Sequence, residues 1–122
     1  MTRAWLAIAG LAGLICVAAG AAAAHVAGDP RASELLRSGA LYGLVHAAAL
    51  IAVATMGERR ERVGLALGVA GWGFAAGIVL FSFSLFALAL TEIGGFARVT
   101  PFGGVALMIG WAALAISAGR RR

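Results

Sequence analysis

The chain has 122 residues, of which 62% are hydrophobic and only 12% charged, about half the charged share of an average soluble domain. A soluble fold needs charge to cover its outside, so that class is excluded, and the length leaves room for a single domain over residues 1–122. The net charge of +5 does not point to nucleic acid. No basic patch is interleaved with aromatic residues, and the arginines stand where anionic lipid headgroups would be their neighbours.

Charge is confined to short clusters: Arg3, Asp29 to Arg37, Glu58 to Arg62, Glu92 to Arg98, and Arg120 to Arg122. Between them lie four charge-free stretches, each long enough to cross a hydrocarbon core of about 30 Å as a helix rising about 1.5 Å per residue. The expected fold class is therefore an all-α integral membrane protein, a four-transmembrane-helix bundle. Its helices are expected at about residues 4–27, 30–57, 63–92 and 100–119.

The first stretch imitates a secretory signal, with Arg3, an apolar run and the alanines Ala21 to Ala24. The run is longer than a usual signal core, and removing it would unbalance the topology, so it is read as helix one. Its Cys16 is the only cysteine, which leaves no intramolecular disulfide and fits a small buried hydrophobe. Asp29-Pro30 supplies an N-cap and a first-turn proline for helix two. The exposed first turns of helix two carry Arg31, Glu34 and Arg37, spaced to pair on one face. The 58–62 run is a tight charged connection to helix three, which Gly94-Gly95 is expected to end. Thr100-Pro101 repeats the cap-then-proline signal and is expected to start helix four.

Seven arginines (Arg3, Arg59, Arg60, Arg62 and Arg120 to Arg122) fall on the side of the termini and second loop, against Arg31, Arg37 and Arg98 on the other. The excess of positive charge predicts both termini in the cytoplasm or its topological equivalent, N-in/C-in. Close helix packing is expected at Gly39/Gly43, Gly64/Gly68 and Gly73/Gly77, because small residues at four-residue spacing let backbones approach, and also at Gly103 and Gly104.

With that orientation, almost every polar group within the spans falls in the outer half. His25 stands near the outer interface, Tyr42 within about one turn of it and His46 about two turns in. Ser82, Ser84 and Thr100 complete the candidate polar cluster. Each has a plain structural explanation. Serines in membrane helices bond their own preceding carbonyls, Tyr42 and Phe96 suit an aromatic belt, and Trp72 and Trp111 read as packing volume or lipid contact. His46 is the least easily dismissed, since ionisable groups at depth face a bundle interior or a cavity. A bond to Tyr42 or to a helix-three serine would make it structural.

The elements Gly20-Ala21 with Ala24-His25, Tyr42-x3-His46 with Ala49-Leu50, Leu80-Phe81-Ser82 with Ser84-Leu85, and Thr100-Pro101-Phe102-Gly103-Gly104 with Gly110-Trp111 share an order and spacing with a known set. In them the chain resembles the small membrane family known as domain of unknown function 423. That family includes bacterial YgdD-like inner-membrane proteins and the animal proteins called transmembrane protein 256. The likeness spans nearly the whole chain and is most specific at Thr-Pro-x-Gly-Gly. It departs at Ala23, often glycine in the family, and at Phe81 to Phe86, where members often read Phe-Ser-Gly-Ser-Leu-Tyr. The resemblance implies a four-helix inner-membrane protein and implies no activity or cofactor.

The expected function is that of a non-enzymatic accessory or scaffold subunit, its partners being membrane lipids and a second copy or a larger membrane complex. The alternative is a carrier binding a lipid, quinone or other amphiphile at the outer polar cluster. Proton-coupled export is disfavoured, because Asp29, Glu34, Glu58, Glu61 and Glu92 all lie in loops or at helix ends. Metal or haem ligation by His25 and His46 is a weaker idea, their depths differing by about one to two turns. No phosphate loop, metal cluster or carboxylate pair suggests hydrolytic or phosphoryl-transfer catalysis.

Overall fold

A computed structural model describes residues 1–25 and 28–119. The expected end of helix one at residues 26–27 and the C-terminal arginines 120–122 lie outside the described residues. Four helices are long and apolar enough to cross a membrane: α1 (Thr2–His25), α2 (Pro30–Glu58), α3 (Leu65–Thr91) and α4 (Gly95–Gly119).

The start of α2 follows the sequence closely. Asp29 caps it by accepting from the Ala32 N–H at 3.0 Å, with Pro30 in the first turn, so an orphan donor is satisfied where proline removes another. Ser33 donates to the Ala23 carbonyl at 2.9 Å and ties this start to the end of α1. Glu34 is engaged within its own helix, accepting from Ser38 at 3.3 Å.

The second half of the chain departs from expectation in two places. Helix α3 is not uniform: residues Ile78–Phe83 form a π-helical segment between Leu65–Gly77 and Ser84–Thr91. Such widened turns inside a helix are rare, and no residue pattern announced this one. In addition, α4 starts at Gly95 rather than Thr100. Thr91 is the last residue of α3, and Glu92, at φ +57°, turns the chain with its N–H on the Leu88 carbonyl. The first bonds of the new helix run from Phe96 to Ile93 and from Ala97 to Gly94. Pro101 therefore sits inside α4. A proline there forfeits one backbone bond, a loss membrane helices tolerate when side chains re-satisfy nearby carbonyls. The carbonyl that Pro101 leaves without its backbone donor is that of Ala97, and Thr100 Oγ1 lies 3.2 Å from the neighbouring Phe96 carbonyl.

The helices form two hairpins, α1 on α2 and α4 on α3, joined by α2 packing along α3. The central pair is the more enclosed: 44% of the spanning window of α2 and of α3 is buried, against 22% for α1 and α4. One core cluster fills the half near the 58–62 loop and the middle, built on Trp5, Leu50, Val53, Leu67, Phe74, Ile78 and Leu107. A second, smaller one joins Cys16, Ala23, Leu36, Ala40 and Phe86 towards the other end.

Glycines set the close crossings. A methyl at Gly39 would come within 2.5 Å of the Phe86 ring, and one at Gly43 would collide with Cys16 Sγ and lie 3.0 Å from Ser82 Oγ. Gly73 lies against the backbone of Ala106 and Gly110, Gly77 against Leu107, and Gly103 against the backbone of Leu80 and Phe81. Gly104 makes only ordinary contact with the Phe81 ring. Gly64 and Gly68 do not pack within the chain at all, since a side chain there would meet nothing within 4 Å. Gly68 shares a helix face with Leu65, Val69 and Trp72, all exposed, so its four-residue spacing lies on the outward side of α3. Three crossings escaped the spacing rule: Gly71 against the Trp5 ring, Gly57 against Thr2, and Gly110 against Phe74.

Candidate functional site

The polar residues of the bundle divide into two connected pairs and several isolated groups. His46 reaches the bundle interior from the middle of α2 and is 5% exposed. Its Nδ1 lies 2.6 Å from the carbonyl of Tyr42, one turn earlier on the same helix. Its Nε2 accepts from the Trp111 indole N–H on α4 at 2.9 Å. An indole only donates, so Nε2 must carry the lone pair and Nδ1 the proton given to the Tyr42 carbonyl. Both ring nitrogens are thereby engaged inside the bundle.

Packing fixes the same ring. His46 stacks almost parallel to Tyr42, 6.3 Å between centroids at 6°, and stands edge-on to Trp111 at 5.8 Å. Phe74 of α3 touches both His46 and Trp111, at 5.7 and 5.0 Å. Three helices thus meet at one histidine.

Ser84 and Thr100 form the second pair. Ser84 donates to the Leu80 carbonyl at 2.6 Å, with the Phe81 carbonyl 2.8 Å away, and Thr100 Oγ1 lies 2.7 Å from Ser84 Oγ. A hydroxyl has a single proton. Because that of Ser84 goes to a carbonyl of the π segment, Thr100 is the donor between the two side chains. The pair joins α3 to α4 just where Gly103 presses on the π backbone.

The remaining candidates are not brought together. His25 is exposed at the end of α1, away from His46. Tyr42 is 47% exposed, with its ring on Phe81 at 4.8 Å. It meets His46 through its backbone carbonyl and ring face rather than its hydroxyl. Ser82 is fully buried with its hydroxyl unpartnered, beside Gly43 and Cys16, contrary to the expectation that it would bond a preceding carbonyl. Trp5 Nε1 is likewise buried and unpartnered. A buried hydroxyl without a partner carries a desolvation penalty and no compensating bond. Ser82→Ala is accordingly expected to leave stability unchanged or raise it by up to about 1 kcal/mol, read from the unfolding midpoint in detergent. A clear loss of stability would reveal a partner for that hydroxyl.

Trp111 is 45% exposed and packs on Phe74, in keeping with its reading as packing volume or lipid contact; sequence reasoning missed its bond to His46, and it missed the enclosure of Trp5 entirely. The available signal for Trp111 was its N–H, a donor placed mid-helix in an apolar setting where some acceptor must lie in reach. Among the described residues, no three of His, Cys, Asp and Glu converge as a metal-ligating group would. With both nitrogens bonded, His46 has no lone pair free for a ligand in this arrangement.

Comparison with known proteins agrees with this architecture. A family model described as "Protein of unknown function (DUF423)" matches residues 19–104. The chain is 36% identical over 118 residues to a UPF0382 membrane protein of Haemophilus influenzae, covering 94% of this chain and 93% of the other. It is 36% identical over 126 residues to the UPF0382 inner membrane protein YgdD of Escherichia coli K12, covering 96% and 90%. To the UPF0382 membrane protein YwdK of Bacillus subtilis it is 38% identical over 85 residues, covering 70% and 68%. No solved structure matches. On the extent of the family match and the near-complete alignment with these relatives, the chain belongs to the DUF423 family of membrane proteins.

Proposed function

We propose that the protein is a non-enzymatic accessory or scaffold subunit of an assembly in the bacterial inner membrane, with both termini cytoplasmic. The observation that carries this reading is the engagement of His46, whose two ring nitrogens are both spent on bonds inside the bundle. A carrier's binding histidine would present a free donor or acceptor to its cargo. Here that capacity fastens α2 to α4, as the Ser84–Thr100 bond fastens α3 to α4. Interhelical polar bonds of this kind supplement van der Waals packing where lipid removes the hydrophobic drive between helices.

The seven-to-three division of arginines between the two ends supports the N-in/C-in orientation. The peripheral helices α1 and α4 leave broad apolar faces, with Leu11, Leu14 and Val17 exposed on one and Val105, Met108 and Ile109 on the other. These faces are open to neighbouring proteins in the bilayer.

The test is the mass of the protein extracted directly from its own membrane into native nanodiscs, captured by a C-terminal tag. A reproducible complex of fixed stoichiometry, larger than the monomer, is expected. A strictly monomeric, partnerless protein would overturn the reading. Loss of a co-purifying amphiphile in His46→Ala and Tyr42→Phe would overturn it too, in favour of the carrier.

A further inference from the structure

An open apolar groove of about 370 Å³ lies at the end of the bundle that carries the start of α1 and the 58–62 loop. Met1, Val63, Gly64, Leu65, Gly68 and Val69 line it, with Trp72 at its far end. From Gly64 to Trp72 it follows α3 for about two turns, or about 12 Å. Its floor is bare backbone, because a side chain added at either glycine would meet nothing within 4 Å, and its walls include Leu65 at 81% exposure, Met1 at 57% and Trp72 at 48%.

The chain that flanks this groove is cationic. Arg62 adjoins the lining residue Val63, Arg3 lies two residues from the lining residue Met1, and Arg59 and Arg60 stand in the loop that leads to Val63, opposed only by Glu58 and Glu61; all but the half-buried Arg60 are exposed. The backbone adds to the field. Helix α3 begins at the groove, with Gly64 as an N-cap that offers no side-chain bond and no acidic residue in the first turn. Its first N–H groups therefore lack a side-chain acceptor, and the positive end of its dipole lies at the groove.

We infer that this groove holds one anionic phospholipid, an acyl chain lying over Gly64 and Gly68 against Trp72 and the phosphate among the arginines at the start of α3. Charge complementarity selects that occupant. A second copy packed symmetrically on the same face would bring two sets of these arginines together, since a two-fold interface meets its own patch. A zwitterionic lipid would fill the apolar floor and gain little from the rim. This site is separate from the His46 and Ser84 bonds and does not depend on the protein having an assembly partner.

The inference is tested by native mass spectrometry of the purified full chain with phosphatidylglycerol or phosphatidylcholine added at equal concentration. One phosphatidylglycerol is expected to be retained per chain, in clear preference to phosphatidylcholine. Filling the floor with Gly68→Leu should abolish that preference. The pair Arg59→Gln with Arg62→Gln should weaken retention by about tenfold or more, at roughly a few-fold to tenfold per surface charge. Gly10→Leu, an addition at an open glycine on α1, should retain the lipid and serves as the folding control. Equal retention of the two lipids, unaltered retention in Gly68→Leu, or a dimer in place of the lipid adduct would overturn the inference.

Discussion

A single methyl group added at Gly103 is expected to destabilise the bundle by about 1–3 kcal/mol, the usual cost of overpacking a filled interior, and more if the helices cannot part. The reason lies in what the methyl would meet. At Gly39 the nearest obstacle is the edge of the Phe86 side chain, with the Ser82 carbonyl oxygen farther off at 3.1 Å. At Gly103 it is the main chain of Leu80 and Phe81, inside the π-helical part of α3, and main chain can yield only by moving the whole helix. The shift would also strain the Ser84–Thr100 bond one turn away. Gly103→Ala should therefore lower the unfolding midpoint in detergent well below that of Gly104→Ala. At Gly104 the added carbon would lie 3.8 Å from the Phe81 ring, an ordinary contact. Equal midpoints for the two variants would contradict the packing described here.

The second large effect is expected at His46. His46→Ala should cost on the order of 2–4 kcal/mol, because it opens a cavity beside Phe74 and strands the Trp111 N–H. Trp111→Phe keeps most of the ring volume and should cost less. If the bond between them is made, the two losses will not add in the double variant. The coupling should be about 0.5–2 kcal/mol, within the span measured for polar pairs in membrane proteins. Additive losses would mean that the two side chains act independently. A lipid carrier would show a different pattern, with Tyr42→Phe changing ligand retention. Here the Tyr42 contribution to His46 is its carbonyl, which the substitution leaves in place.

Much of the architecture was legible because it rests on composition and local chemistry. Four apolar stretches of sufficient length give four helices, and Asp29-Pro30 marks the start of α2 to the residue. The same signal misled at Thr100-Pro101. A proline following a capping residue usually opens a helix, but α4 had already begun at Gly95, and Thr100 lies inside it. The difference is tertiary: Thr100 is held in the helix by its contact with Ser84, which no local pattern records. The π segment lies where Gly103 of α4 approaches the main chain of α3, a contact that no local pattern records.

Glycine spacing was informative only in part. A four-residue repeat says that two glycines share a face, and it cannot say whether that face turns inward. Gly39 with Gly43 and Gly73 with Gly77 turn inward, whereas Gly68 turns out with Leu65 and Trp72. Of the polar residues, His46 stood out correctly as the group needing an interior partner. Its partner lies 65 residues away on α4, beyond what periodicity can assign.

The claim on which the account rests is that His46 is used up inside the bundle, and nitrogen-15 NMR of the labelled protein in lipid bilayers tests it directly. The expected spectrum shows Nδ1 protonated, Nε2 bearing a lone pair, and a cross-hydrogen-bond correlation from Nε2 to the Trp111 indole proton. A proton on Nε2, or a Trp111 N–H exchanging freely without that correlation, would contradict it and return the histidine to the list of groups available to a ligand.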